Sequence, residues 1–499
     1  MSLQSPTEPH VEAARDARLL IDGQLVDGAS GRRFQKINPA TEEPLGEFAD
    51  ATRQDLDTAL AAARRAFDET SWRDDHAFRA RCLRQLQEAM RAHVDELRHA
   101  VVSELGAPIW LVRAVHVDAV IEKVGFLAEM AERAGSVEDL PDTVTGSTRN
   151  VRSIVREPVG VVGAITPWNI PVDIPMAKCG GALAAGNTVV LKPAPDTPWS
   201  IGIIARLVAE ETDIPPGVLN IVTSSDHSLG AALTADPRVD AVSFTGSTAT
   251  GRKVMAAAAE GIKRVHLELG GKSPNIVLDD VDFEQTVPRA AAMATFNAGQ
   301  SCILPSRLLV PADRFDECVE LAAAGLSAVR VGDPTDPETQ MGPLISATHL
   351  DRVLGMVRDG LRHGGRVVVG GGRHPDVDRG YYVQPTLIVD VAEDHPLVQQ
   401  EIFGPVLVVQ PYTDEDDAVR IANGTPYGLA AYVWSGSVER AEALSRRLRA
   451  GMVGINGGDF TGGDMPFGGV GASGIGREWG AAGVEEFQEI KTLSRGYAA

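Results

Sequence analysis

Residues 159–192 read VGVVGAITPWNIPVDIPMAKCGGALAAGNTVVLK, and this stretch decides the fold. It contains two short apolar, β-branched runs, Val161 to Thr166 and Thr188 to Lys192. Runs of that length and composition read as strands. Three more follow, Val218 to Val222, Val239 to Phe244 and Arg264 to Leu269, with helical stretches such as Ser200 to Glu211 and Thr248 to Glu260 among them. Strand, helix, strand at this spacing predicts a parallel sheet with right-handed crossovers. Ligands of such sheets sit beyond the C-terminal strand ends. That rule singles out Pro167-Trp168-Asn169, Lys192-Pro193, Thr245-Gly246-Ser247 and Gly270-Gly271.

Upstream, residues 52–69 predict an amphipathic helix capped by Thr52 with Asp55, its apolar side built from Leu56, Leu60, Ala63 and Phe67. Residues 77–102 carry Leu83, Leu86, Met90, Val94 and Leu97 on one side and read as a second helical stretch. Downstream, a second alternating α/β region runs from Asp282 to about residue 450, with a helix over Asp282 to Asn297 and a strand over Arg307 to Val310. Glycine-rich segments occupy 451–476. Two charged-apolar alternating pieces, Asn150 to Arg156 and Glu486 to Leu493, read as edge strands. The chain shows no internal repeat.

Composition sets the outer limits. A chain of 499 residues has room for about three domains. With 44% hydrophobic and 23% charged residues it is globular, and with 5% aromatics its core must be filled by small aliphatic side chains. A formal net charge of −21, with no basic patch, repels nucleic acid and anionic membranes. The four cysteines, Cys82, Cys179, Cys302 and Cys318, have no C-x-x-C spacing, so no metal site is expected and free thiols in a reducing compartment are. Met1 to Arg18 lacks the apolar core of a secretion signal, and runs such as Val159 to Ile165 fall far short of a membrane span. A cytoplasmic protein with no membrane contact is the expectation.

Each chemical motif has a bland rival. Cys302, in the loop Gly299-Gln300-Ser301-Cys302, could present its sulfur to a cleft, yet most lone cysteines are small buried hydrophobes. Glu268 shares a strand with Val265, Leu267 and Leu269 but faces the other way, as a paired strand carboxylate would, or as a general base would. Gly246-Ser247 opens a helix whose free N–H groups suit a phosphate, or is an ordinary capped turn. Lys192 is a surface lysine by default; at a strand end it could bond ribose hydroxyls. Gly469-Val470-Gly471-Ala472-Ser473-Gly474 matches G-x-G-x-x-G literally but no strand precedes it, so it reads as a loop or gate.

Taken together the segments resemble the aldehyde dehydrogenase superfamily, over almost the whole chain. The resemblance is carried by Pro167-Trp168-Asn169, Val265 to Pro274 (VHLELGGKSP), Gly299 to Cys302 (GQSC), Glu401-Ile402-Phe403-Gly404-Pro405-Val406 and Pro466-Phe467-Gly468-Gly469, with Asn38-Pro39-Ala40-Thr41 near the start. It implies an α/β fold with a Rossmann-like, parallel-sheet cofactor domain over 1–140 and 158–270. A second α/β catalytic domain would cover 271–470, and a small β arm for oligomerisation 141–157 and 471–499. The implied reaction is NAD(P)-dependent, non-acylating oxidation of a small-molecule aldehyde to the acid, in a homodimer or homotetramer. Cys302 would be the nucleophile, passing through a thiohemiacetal and a thioester. Glu268 would be the base for water, and Asn169 with the Cys302 N–H would hold the oxyanion. For the cofactor, Gly246 and Ser247 would face the pyrophosphate, Lys192 the adenosine ribose and Glu401 the nicotinamide ribose, with Phe403, Trp168 and Thr166 beside the ring and strand end. Pro195 departs from the pattern, because NAD-preferring members carry a Glu there, three residues after the lysine. No Arg or Lys near Pro195 in sequence grips a 2′-phosphate, so NAD is expected, with NADP the alternative. The implied substrate tunnel is Asp173, Ile174, Ala177, Ser301, Ile303, Thr461 and Phe467; Asp173, Ala177 and Thr461 replace bulkier or aromatic residues and imply a roomy tunnel. A cofactor-free esterase and a non-catalytic binding protein are the rival functions; the dinucleotide residues argue against the first, and the joint presence of Cys302, Glu268 and Asn169 against the second.

Overall fold

The computed structural model describes residues 16–498 apart from 134 and 136. The first sheet has eight strands in the spatial order Gly474–Ile475, Arg264–Glu268, Ala241–Thr245, Val161–Ile165, Thr188–Lys192, Leu219–Ile221, Leu19–Ile21, Gln24–Val26. All five predicted runs therefore lie in one sheet, and they run parallel. Alternate residues point to opposite faces. Val161 and Val190 pack with Leu60 of the helix Arg53–Glu69 and Val254 of the helix Thr248–Ala259. Val162, Val189 and Leu191 pack with the helices His76–Ala92, Asp173–Ala185 and Pro198–Glu211. Burial on both faces explains why the runs are apolar throughout.

The second sheet has seven strands, ordered Arg366–Val369, Thr386–Val389, Val406–Tyr412, Arg307–Pro311, Pro274–Val277, Ala430–Trp434, Met452–Ile455, all parallel except the first. A third, antiparallel sheet joins Gln488–Ala498, Thr148–Pro158 and Val137–Thr145. The expected bridging segment 471–499 is divided in this structure: Gly474–Ile475 pairs with the strand Arg264–Glu268, the helix Gly480–Glu485 packs on the helix Asp173–Ala185, and only Gln488–Ala498 enters the third sheet. Among the described residues no helix is long and apolar enough to cross a membrane.

Two helix expectations need correction. Residues 77–102 form two helices, His76–Ala92 and Val94–Leu105, because the backbone leaves helical geometry at His93. The stretch 282–297 is helical only over Phe283–Ala292; beyond it a 3₁₀ segment kinks at Phe296 and turns left-handed at Asn297. Apolar periodicity continues through both sites, so the pattern hid the breaks. The Thr52–Asp55 cap is present as a reciprocal capping box.

The root of the third sheet hangs on Asn187. Its Oδ1 accepts from the Gly160 N–H at 2.8 Å, and its Nδ2 donates to the carbonyls of Ala182 and Phe487, both at 3.0 Å. Gly160 follows the strand Thr148–Pro158 and Phe487 precedes Gln488–Ala498, so one buried amide ties both arm strands to the first sheet. Asn187→Ala leaves the buried Gly160 N–H unmatched and takes one bond each from the Ala182 and Phe487 carbonyls, which keep backbone partners, and should lower stability by about 1–3 kcal/mol. Urea and thermal unfolding followed by circular dichroism check this; an unchanged midpoint contradicts the anchoring role.

Candidate active site

Strand register aligns the candidate residues. Ile165 pairs with Lys192 and with Phe244, and Thr245 pairs with Glu268, so Thr166, Lys192, Gly246 and Leu269 emerge along one sheet edge. Residues 269–273 then carry the chain into Pro274–Val277 of the second sheet. A cleft of about 320 Å³ opens there, large enough for a small molecule. Its walls include Trp168, Asn169, Gly246, Ser247, Gly270, Cys302, Glu401 and Phe403, drawn from both sheets. The cleft also takes in His349 and Arg352, on the helix Ala347–Arg362, which sequence reasoning passed over.

The loop that presents Cys302 is over-determined. Asn297, Ala298 and Gly299 have φ of 50°, 53° and 75°, three left-handed residues in a row. Asn297 Nδ2 donates to the Asn169 carbonyl at 2.9 Å and to the Gln300 carbonyl at 3.2 Å. Gln300 Nε2 donates to the Asn297 carbonyl at 3.0 Å, and its Oε1 accepts from the Ile345 N–H at 2.9 Å. Two glycines make room for the loop. A Cβ on Gly299 would lie 2.0 Å from the Gly404 carbonyl carbon, and one on Gly271 would lie 2.2 Å from the Cys302 carbonyl oxygen. Strain of this kind persists only where surrounding contacts enforce it.

Electrostatics separate Cys302 from the other thiols. Cys82, Cys179 and Cys318 are buried in apolar packing, and burial pushes each thiol up to about 12. Cys302 is partly exposed and lines the cleft. Burial, then the carboxylates of Glu268, Glu401 and Glu478, hold its thiol well above the ordinary range. Glu268 is 1% exposed, and neither of its carboxylate oxygens makes a hydrogen bond among the described residues. Burial and the nearby Glu478 carboxylate push its pKa well up, offset only in part by Lys178, Arg477 and the Gly469 amide. Glu478 is itself held by Lys178 Nζ at 2.6 Å, which also donates to Ser243 Oγ at 3.0 Å. This buried run of Glu268, Glu478, Lys178 and Ser243 was not anticipated. The one hint was a lysine inside the apolar helix Asp173–Ala185; its partner lies 300 residues away.

Thr245, Gly246 and Ser247 line the cleft, and the helix start they form suits a phosphate, while Thr166, Lys192 and Pro195 lie outside the cleft lining, Thr166 and Lys192 along the same sheet edge. Ser247 caps the helix Thr248–Ala259, its Oγ accepting from the Thr250 N–H at 3.2 Å. The hydroxyls of Thr166 and Thr245 are buried without a partner among the described residues. Lys192 Nζ donates only to the carbonyls of Ser224 and Pro193, at 3.2 and 3.4 Å, and burial lowers it to about 8. Its three acidic neighbours are Asp196, Asp226 and Asp50. Pro195 stands beside this group without a side-chain acceptor. The fold adds a cation that the local sequence does not show: buried Lys36 comes within the field of Asp196 and Glu104. Glu401 accepts from the Gly271 N–H at 3.1 Å, and burial raises it to about 7. Trp168, His349 and Phe403 form a trio of edge-to-face rings with centroids 5.3–6.0 Å apart. His349 Nε2 donates to the Phe403 carbonyl at 2.7 Å, and Arg352 holds the carbonyls of Ile402 and Glu401.

A profile described as "Aldehyde dehydrogenase family" matches residues 25–493. The chain belongs to the aldehyde dehydrogenase family. It is 43% identical over 484 residues to a 3-succinoylsemialdehyde-pyridine dehydrogenase from Pseudomonas sp., covering 96% of this chain and 98% of that protein. An aldehyde dehydrogenase from Bacillus cereus, solved as its NAD+ complex, superposes with a TM-score of 0.93 at 35% identity, covering 99% of both chains. A variant of aldehyde dehydrogenase C from Pseudomonas syringae, solved with NAD+ and octanal, gives a TM-score of 0.89 at 39% identity, covering 96% of this chain and 97% of that one.

Within this aldehyde dehydrogenase the tunnel candidates occupy several environments, and Phe467 packs against both the cluster that holds Ala177 and the one beside Cys302. Ile303 and Phe467 pack with Cys302 against Leu429, Tyr432 and Phe460. Ile174 and Ala177 are buried, while Asp173 is held by Lys123 Nζ at 2.7 Å and by the Trp479 indole N–H at 3.3 Å. Thr461 turns back to Asp459, its Oγ1 donating at 2.7 Å. Ser301 lines a small cavity behind Glu401 to Gly404. The glycine-rich 469–474 segment is a loop rather than a dinucleotide fingerprint, and the Leu269 N–H donates to its Ser473 carbonyl at 2.9 Å. The Gly271–Cys302 contact acts directly on the residue that presents the thiol. Gly271→Ala should displace the Cys302 backbone and cut kcat by about 10²-fold or more, since a displacement near 1 Å costs that much. Steady-state assays beside a circular dichroism melt test it; a folded variant with parent kcat contradicts it.

Proposed function

We propose that this enzyme oxidises an aldehyde to the free carboxylic acid with NAD, through a thioester on Cys302. The observation that carries the reading is the meeting of Cys302 and Asn169 in one cleft with the dry, unpartnered Glu268 carboxylate close by. The Cys302 thiolate adds to the aldehyde carbon, and the Asn169 side-chain amide and Cys302 N–H donate to the oxyanion that forms. NAD, when bound, supplies the acceptor for the hydride that the Cys302 thiohemiacetal loses on becoming a thioester. Glu268 takes a proton from a water whose oxygen attacks the thioester carbon. The carbon–sulfur bond then breaks, releasing the acid and the Cys302 thiolate. Glu478, held by the Lys178 ammonium, lies beside Glu268 and can receive its proton.

The residues fit the dinucleotide. Gly246 and Ser247, at a helix N-terminus, would take the pyrophosphate. Lys192, with donor capacity left over, would hold the adenosine ribose, and Glu401 the nicotinamide ribose. Phe403, Trp168 and the Thr166 hydroxyl would close the nicotinamide end. NAD rather than NADP is favoured because Asp196, Asp226 and Asp50 surround Lys192 and repel a 2′-phosphate, while Lys36 is already faced by Asp196 and Glu104. The two solved relatives were captured with NAD+. Asp173, Ile174, Ala177, Ser301, Ile303, Thr461 and Phe467 remain the proposed walls for a small-molecule aldehyde. The four free cysteines suit a cytoplasmic enzyme.

Self-association into a dimer or tetramer is the second part of the proposal. The third sheet has two open edges, and Val137, Val144, Ile490 and Tyr497 on it are 53–65% exposed. Such an edge is a liability unless paired. Sedimentation velocity at micromolar concentration should show a dimer or tetramer; a monomer rules this out.

The decisive experiment separates the two half-reactions. Glu268→Gln keeps size and loses the proton acceptor, which typically costs on the order of 10²–10⁴ in rate. Rapid mixing with aldehyde should give a burst of NADH near one per site, then very slow turnover. Mass spectrometry should find the acyl group on the Cys302 peptide, and Cys302→Ala should give neither burst nor adduct. The parent's deacylation should rise with pH, because the base form of Glu268 exists only above its raised pKa, and the variant should lose that rise. Parent-rate turnover in Glu268→Gln would leave Glu268 a paired strand carboxylate and nothing more.

A further inference from the structure

Behind the catalytic turn a narrow shaft runs inward from Arg449 and Asn423, past Thr425, to Lys272 and Ser273. Arg449 is exposed at its mouth, and the space as a whole has room for about one water-sized body. Lys272 and Ser273 are 1% and 2% exposed. Among the described residues neither Lys272 Nζ nor Ser273 Oγ has a hydrogen-bond partner. Arg307, also fully buried, lines the same space. Its guanidinium donates to three carbonyls, those of Lys272, Ile421 and Ala422, and to no acid. The charged side chains of the shaft wall are thus three cations, with no carboxylate among the described residues there. Burial and then Arg307 lower Lys272 to about 7, with Glu401 opposing from outside the shaft wall, so its charge is held only weakly without an anion beside it; Glu393 likewise acts on Arg307 from outside the wall.

Buried polar groups are nearly always matched, and a buried ammonium facing a second buried cation is the costliest kind to leave bare. A lone water would satisfy hydrogen bonds but not the charge. We propose that the shaft binds one small inorganic anion of chloride size, held by Lys272 Nζ and Ser273 Oγ and admitted past Arg449. The bound ion neutralises the inner end and braces the turn Gly270-Gly271, against which the Cys302 carbonyl packs.

The probe is chloride itself, on the full chain, with gluconate at equal ionic strength as the anion too large to enter. Chloride should raise the parent Tm by about 2–4 °C over gluconate, as a ligand specific to the folded state does. Lys272→Met should abolish the difference. Ser273→Ala, which remains informative if Lys272→Met fails to fold, should move the chloride dependence to several-fold higher concentration. Crystals grown in chloride and measured at long wavelength should carry an anomalous peak between Lys272 Nζ and Ser273 Oγ. Equal melting in the two salts, an unaltered chloride response in Ser273→Ala or in folded Lys272→Met, or water without anomalous signal in the shaft would each overturn the proposal.

Discussion

Five residues, Leu269 to Ser273, join the last parallel strand of the first sheet to a central strand of the second. So short a link forces the C-terminal edge of one sheet against the other, and the cleft is the space left at that seam. The link can pass only because two of its residues lack side chains. At Gly270 a Cβ would lie 2.3 Å from the Glu401 carboxylate, and at Gly271 one would meet the Cys302 carbonyl. Glu401 and the Cys302 carbonyl come up against the link at these two positions. The same turn then places Lys272 and Ser273 at the blind end of the shaft behind it.

The site is assembled from groups that a stable interior would avoid. Glu268 and Glu478 are buried carboxylates, the second raising the first, and Glu268 has no hydrogen bond to either oxygen among the described residues. The Lys178–Glu478 pair removes part of this cost without neutralising Glu268. The result is a carboxyl whose proton affinity is shifted toward that of the groups it would serve, the property expected of a general base. Three consecutive left-handed residues ahead of Cys302 store further strain, held by the Asn297 and Gln300 amides. Both features trade local stability for a fixed arrangement of reactive groups.

His349 and Arg352 show a different economy. The loop Glu401 to Phe403 has no regular secondary structure, and Phe403 is itself at φ 61°. Its carbonyls are held by one helix, through His349 to Phe403 and Arg352 to Ile402 and Glu401. Burial lowers His349 to about 4, so the ring is neutral at ordinary pH, with its proton on the nitrogen that donates to Phe403. The loop thus acquires rigidity from a neighbouring element rather than from its own hydrogen bonds.

Local chemistry was legible wherever it is governed by neighbours in the chain. The five β-branched runs, the Thr52–Asp55 capping box, the Ser247 helix start and the expectation that strand-end residues gather at one edge all follow from spacing and residue type, and the structure has them. Where periodicity ran on through a break, as at His93 and Phe296, the pattern misled, because apolar spacing records burial and not backbone continuity. The residues brought in from afar were invisible: Lys178 meets Glu478 across 300 positions, His349 reaches Phe403 across 54, and Lys36 enters the field of Asp196. Taken alone, the amino-acid sequence determined the parallel-sheet architecture, because strand and helix propensity and their alternation are set by neighbours in the chain, and the resemblance carried by its separated motifs singled out Cys302, Glu268 and Asn169 as candidates. Only the tertiary structure decided which charges share a dry interior, because burial and long-range electrostatics depend on packing between segments that no local pattern relates.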